Sequence, residues 1–222
     1  MTRKHSIIVG GTKGVGRALA VLFAAGGQHV TAIGRTPGEF PEVESGRIEG
    51  FVGNAEEPEA LLAALRQQVE RRGQLSSLVF LQRYRGTGDP WAGEMAVALT
   101  ATKTLIEGLA PHFAADGDRS VCLVTSNAGA LVAGNQSLGY HTSKAALRQM
   151  ARYYAVKYGP QGVRVNVVAP SAFVKPESAA FYDGHPELRA VYERATPLGR
   201  MGTAKEVAQA VAFLCGPDAA FI

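Results

Sequence analysis

The chain has 222 residues, 46% of them apolar and 19% charged, with a formal net charge of +4 and no dense block of Lys or Arg. That size and composition predict one well-buried domain over residues 1–222 and exclude a disordered chain, and pairs such as Arg3-Lys4 and Arg71-Arg72 are too sparse for a nucleic-acid surface. Two cysteines exclude a disulfide scaffold and a thiolate metal site, and no run reaches the roughly 18 apolar residues of a membrane span, so a soluble cytoplasmic protein with no metal is expected.

Residues 6–9 read as a buried strand, 14–25 as a helix and 29–33 as the next strand, joined by short glycine turns. This is a βαβ unit. The alternation continues with a strand at 47–52, a helix over 58–71 and a strand at 75–81. Pro58 suits the first helical turn, where its missing N–H is not needed. A long helix over about 91–113 follows, then a strand at 121–125, a helix over 140–158 and a strand at 163–168. Six apolar strands alternating with helices imply an α/β fold. The expected form is a Rossmann-like, doubly wound parallel sheet with helices on both faces and ligand at the strands' carboxyl ends. Residues 171–197, with prolines and scattered aromatics, are expected to be irregular and to overhang those ends as a substrate lid.

The turn after the first strand reads Gly10-Gly11-Thr12-Lys13-Gly14-Val15-Gly16. Glycines at 10, 14 and 16 let backbone approach a pyrophosphate at the start of the following helix, whose free N–H groups and dipole favour an anion. After the second strand the chain offers Gly34-Arg35-Thr36, with no carboxylate to hold a ribose 2′-hydroxyl. Arg35 and Lys13 would instead suit a 2′-phosphate, which favours NADP(H) over NAD(H); the alternative is that Arg35 is a solvated loop residue. Tyr140 and Lys144 are four apart at the start of a helix, so both side chains lie on one face. A free phenol is a weak acid at neutral pH, but a neighbouring ammonium stabilises its anion and makes Tyr140 a usable proton donor and acceptor. Ser126, at the end of the preceding strand, completes the set.

With these residues in order, the chain resembles the short-chain dehydrogenase/reductases of the single-domain, ketoreductase-like type over nearly its whole length. Arg164-Val165-Asn166-Val167-Val168-Ala169-Pro170 is similar to that family's run after strand six, and Pro197-Leu198-Gly199-Arg200-Met201-Gly202 with Glu206-Val207-Ala208 is similar to its closing helix. The resemblance implies NADPH across the strand ends and a small carbonyl or alcohol substrate. Tyr140 would protonate the carbonyl oxygen, Ser126 would hydrogen-bond it, and Lys144 would bind the nicotinamide ribose. Asn54 would meet the adenine, and backbone from Pro170 to Phe173 the carboxamide. A homodimer or homotetramer is also implied if the family's C-terminal strand is present.

The chain departs from the family in five places. Gly53-Asn54 stands after strand three where the family caps the adenine with an Asp. Phe80-Leu81-Gln82-Arg83 replaces Asn-Asn-Ala-Gly after strand four, so Arg83 and Arg85 either face an anionic substrate or lie in a solvated loop. Ala98 falls where the family has a fourth catalytic residue, an Asn. Ser171 replaces the Gly after the strand-six proline. The chain stops at Phe221-Ile222 where the family continues into a final strand, so a further C-terminal tail is expected, the alternative being a protein that lacks that strand. The alternative function is a non-catalytic NADP(H)-binding protein with a sensing or scaffold role, against which stands the joint retention of Ser126, Tyr140 and Lys144. The lid's Phe173, Phe181, Tyr182 and Tyr192, with Lys175, His185 and Arg189, suit an aromatic or carboxylated ligand and equally suit helix packing.

Overall fold

The computed structural model describes residues 4–222. Six strands, β1 (His5–Val9), β2 (His29–Gly34), β3 (Arg47–Val52), β4 (Leu75–Phe80), β5 (Ser120–Val124) and β6 (Arg164–Val168), form one sheet in the order β3-β2-β1-β4-β5-β6. Every pairing is parallel. The central strands β1, β4 and β5 are buried at every residue, their apolar carboxyl-terminal halves covered on both faces and their buried serines and His5 lying toward the amino ends, whereas β3 at the edge is half exposed. Strand order reverses between β1 and β4, which opens a crevice at their carboxyl ends.

Helices α1 (Gly14–Ala25) and α8 (Ala204–Cys215) cover one face, where Leu19, Phe23, Val207 and Val211 meet Ile8 and Val30. Helices α2 (Pro58–Arg72), α4 (Ala101–Leu109) and α5 (Leu138–Tyr158) cover the other, with Leu65, Leu105 and Leu147 against Ile7 and Leu78. Each such fully buried leucine contributes about 1.5–3 kcal/mol. Cys122 and Cys215 are free thiols buried side by side between β5 and α8.

Three elements differ from the sequence expectation. The helix expected over 91–113 is composite: α3 (Pro90–Glu94), a π-helical turn over Met95–Thr100, α4, and a 3-10 turn over Ala110–His112. Asp89 caps α3 by accepting from Trp91 N–H and Ala92 N–H. In the π turn the Ala101 N–H reaches back to Ala96 O, five residues away, and Val97 O accepts from Gln82 Nε2 at 3.2 Å. Helix α5 begins at Leu138, because Ser137 Oγ accepts the Tyr140 N–H at 3.2 Å. The lid is more regular than expected. It holds a short strand β7 (Phe173–Val174) paired in parallel with β8 (Gly202–Thr203), then α6 (Ala179–Asp183) and α7 (Pro186–Ala195). Pro186 in the first turn, Glu187 beside it and Arg194 in the last turn give α7 its ends.

Candidate active site

Strand β1 runs out into the glycine turn, where the Gly10 and Gly11 N–H groups both donate to Ile33 O at 2.9 and 2.7 Å. Gly10 has φ +84°, which favours glycine, and a Cβ on Gly16 would lie 2.0 Å from Gly10 O, so only glycine lets α1 begin this close to the turn. Lys13 is the extended N-cap residue of α1 and supplies no side-chain cap. The Gly14 N–H donates instead to Glu177 Oε1 at 2.9 Å, a carboxylate brought in from the lid. An anion therefore already stands at the α1 N-terminus, and the cradle fits the diphosphate of a dinucleotide.

A cavity of about 860 Å³ extends from this cradle over the strand ends to α5. Gly10, Thr12, Lys13, Gly14, Val15 and Gly16 line one end, with Arg35 and Thr36 from the end of β2 and Asn54 from the end of β3. Asn54 Oδ1 accepts the Glu56 N–H at 3.1 Å, which orients its side chain. Ser126, Tyr140 and Lys144 line the other end, with Pro170 and Phe173 on the lid side. Among the described residues the wall carries Lys13, Arg35, Arg83, Arg85, Lys144 and Lys175 against Glu56 and Glu177. That excess of cations favours a polyanionic ligand.

Ser126 leaves β5 and caps a 3-10 turn over Asn127–Gly129: its Oγ accepts the Ala128 N–H and donates to Asn127 Oδ1, both at 3.2 Å. Tyr140 lies in the first turn of α5, and Lys144 one turn later with only 4% of its surface exposed. Lys144 Nζ donates to Val124 O at 3.1 Å and sits 5.6 Å from the Tyr140 ring centroid. Burial pushes its ammonium down to about 8, with Arg83 and Lys175 adding to the effect and Glu94 opposing it. Among the described residues, Ser126 and Tyr140 share the wall without a direct hydrogen bond.

The altered strand-four segment is built into this wall. Leu81 N–H donates to Val9 O at 2.8 Å, and Gln82 Nε2 binds Thr102 Oγ1 at 2.8 Å as well as Val97 O, so these residues tie the sheet to the π turn. Arg83 lays its guanidinium 4.2 Å over the Tyr140 ring and donates to Gln136 Oε1 at 2.6 Å. Arg85 lines the same cavity, so both arginines face it. Ala98 is buried in the π turn. Lid aromatics pack mainly on one another, Phe181 against Tyr182 and His185, and Tyr182 against Tyr192, while Tyr182 and Tyr192 also reach the cavity. Sequence reasoning missed Glu94 and Glu177. Glu94 had one usable signal, its place four residues before Ala98 on a buried helical face.

Residues 9–222 match the family model described as enoyl-(acyl carrier protein) reductase. The chain is 26% identical over 233 residues to a glucose 1-dehydrogenase of Gluconobacter oxydans, covering 99% of this chain and 87% of that protein. It is 28% identical to an A-factor type gamma-butyrolactone 1'-reductase of Streptomyces virginiae, covering 100% and 92%. The fold matches a 3-oxoacyl-[acyl-carrier protein] reductase from Brucella melitensis with a TM-score of 0.86, at 23% identity and covering 100% of this chain and 88% of that one. A parallel sheet with its switch point at β1 and β4, a glycine turn there, and these matches along the chain lead to one conclusion: the protein belongs to the short-chain dehydrogenase/reductase family of nicotinamide-dependent oxidoreductases.

Proposed function

We propose that the chain is an NADP(H)-dependent oxidoreductase that interconverts a carbonyl and an alcohol, with Ser126, Tyr140 and Lys144 as its acid-base set. The observation that supports this most is that these three side chains line the same cavity as the glycine cradle and Arg35. A bound nicotinamide supplies or accepts the hydride. Tyr140 Oη gives its proton to the carbonyl oxygen in reduction and takes it back in oxidation. Ser126 Oγ donates to the same oxygen and holds it for that transfer. Lys144, charged below pH about 8, stabilises the phenolate that remains.

In this reading Gly10, Thr12, Lys13, Gly14, Val15 and Gly16 hold the diphosphate, and Arg35 with Thr36 holds a 2′-phosphate. Asn54 meets the adenine, and Pro170 and Phe173 flank the nicotinamide. The preference for NADP(H) rests on Arg35 and Lys13 lining the cavity where the wall carries no carboxylate from the end of β2. Titration with NADPH and NADH, followed by nicotinamide fluorescence, tests the cofactor half. Tyr140→Phe tests the other: turnover is expected to fall at least about a hundredfold with NADPH affinity unchanged. Full activity in that variant refutes the assigned mechanism, and NADPH binding by a wild-type protein that reduces no carbonyl favours a cofactor-binding module instead.

A further inference from the structure

Glu94 is a carboxylate with no place in the chemistry above, yet it is 3% exposed. It stands at the last position of α3, and α3 lies directly on the first turn of α5: a Cβ on Gly139 would be 2.9 Å from Pro90 O and Trp91 Cα. One oxygen, Oε1, is 3.6 Å from Arg83 Nε, and the other, Oε2, is buried without a hydrogen-bond partner among the described residues. Leaving a carboxylate oxygen dry and unpaired costs several kcal/mol unless nearby cations offset it. Two cations flank the Tyr140 ring, the Arg83 guanidinium at 4.2 Å and the Lys144 ammonium at 5.6 Å. Arg83 is held there by donating to Gln136 Oε1 and by the ion pair with Glu94, in which its buried Nε makes no hydrogen bond among the described residues.

We propose that Glu94 and Arg83 are positioning residues of the Tyr140–Lys144 pair, Glu94 as the buried counter-charge to the two cations at the Tyr140 ring and Arg83 as the clamp on that ring. This rests on the reading of Tyr140 and Lys144 given under the proposed function. The two act on Lys144 in opposite senses, because one brings a negative and the other a positive charge to a site that burial already makes unfavourable for an ammonium. The other groups around Lys144 are Lys175 from the lid, Tyr140 on its own helix, and Arg148 one turn further on, which donates to Ser126 O. An ion pair screened from Lys144 and anchoring only the loop after β4 would leave the protonation of Lys144 unmoved by either substitution.

The test is the titration of Lys144 itself, read by NMR of protein carrying 13C at the lysine Cε, with Lys144→Met to assign the signal. Glu94→Gln is expected to move the Lys144 midpoint below the wild-type value, Arg83→Gln above it, each by about half to one pH unit at the effective dielectric of such sites. Arg83→Lys, which keeps the charge, is expected to leave the midpoint near wild type, and Arg83→Met, which also removes the charge, replaces Arg83→Gln if that variant does not fold. Displacements of the two Gln variants in the same direction, or a midpoint that neither Glu94→Gln nor Arg83→Gln moves, overturn the proposal. In the NADPH-loaded enzyme the alkaline limb of kcat against pH is expected to follow the same two directions. A wild-type protein that reduces no carbonyl defeats the proposed function, whereas the NMR titration still decides the roles of Glu94 and Arg83.

Discussion

Replacing Glu177 by Gln is expected to tighten NADPH binding. In the structure its carboxylate accepts the Gly14 N–H at 2.9 Å, at the N-terminus of α1 where a diphosphate is proposed to bind. Ligand and lid therefore compete for one donor, and the ligand's apparent affinity is reduced by the free energy of the contact it displaces. A hydrogen bond to a charged group contributes about 1.5–3 kcal/mol when well shielded. Glu177 is an exposed residue, so screening leaves about 1 kcal/mol. A glutamine that keeps part of the bond and none of the charge forfeits most of that, which corresponds to roughly fivefold in Kd. Fluorescence titration of both proteins measures it, with the advantage shrinking as salt is raised. The same substitution is expected to lower the stability of the cofactor-free protein by about the same 1 kcal/mol, since the α1 N-terminus loses its anion. Unchanged or weaker NADPH binding in Glu177→Gln refutes the competition.

Arg35→Ala is expected to weaken NADPH by about 1.5 kcal/mol, the low end for a charged hydrogen bond because Arg35 is exposed, and to leave NADH nearly unaffected; equal losses for both remove the case for a 2′-phosphate site. His5 provides a pH prediction. Its ring is fully buried and neutral, with Nε2 paired to Thr31 Oγ1 at 2.9 Å and Nδ1 to Gly73 O at 3.2 Å, and burial lowers it from 6.5 to about 4. Between those values the unfolded chain holds a proton that the folded chain excludes, so stability is full above pH 6.5 and falls by about 3 kcal/mol as pH drops to 4. Urea unfolding at pH 7 and pH 4.5 measures the fall, and His5→Gln is expected to flatten that part of the profile.

Most of the sheet was legible because each turn of the early βαβ unit is marked by glycine and each central strand ends in a run of three or more apolar residues. Those strands fall within a residue of their expected ends, as do α1 and α2. The composite helix was not legible, since apolar spacing across Met95–Thr100 reads as one continuous periodicity and the partner that takes Val97 O is Gln82, fifteen residues back. The lid's helix α7 had its signals in Pro186, Glu187 and Arg194, outweighed in the reading by the neighbouring prolines and aromatics. Arg83 had two open readings because a loop arginine has no local pattern; its position depends on Glu94 in the next helix and on Tyr140 and Gln136, both more than fifty residues on. Glu177 lies 163 residues from the N–H it binds, a separation no sequence window spans.

The π turn has a further consequence for how this chain tolerates change. A turn closed by a bond five residues back carries an added residue relative to its α-helical neighbours. Deleting Leu99 would let the segment close as ordinary α-helix while the flanking parts keep their facing. The stretch up to Glu94 can then answer to Arg83 and the first turn of α5, and the stretch from Ala101 to the apolar layer under α2, as two units joined by a length adjuster.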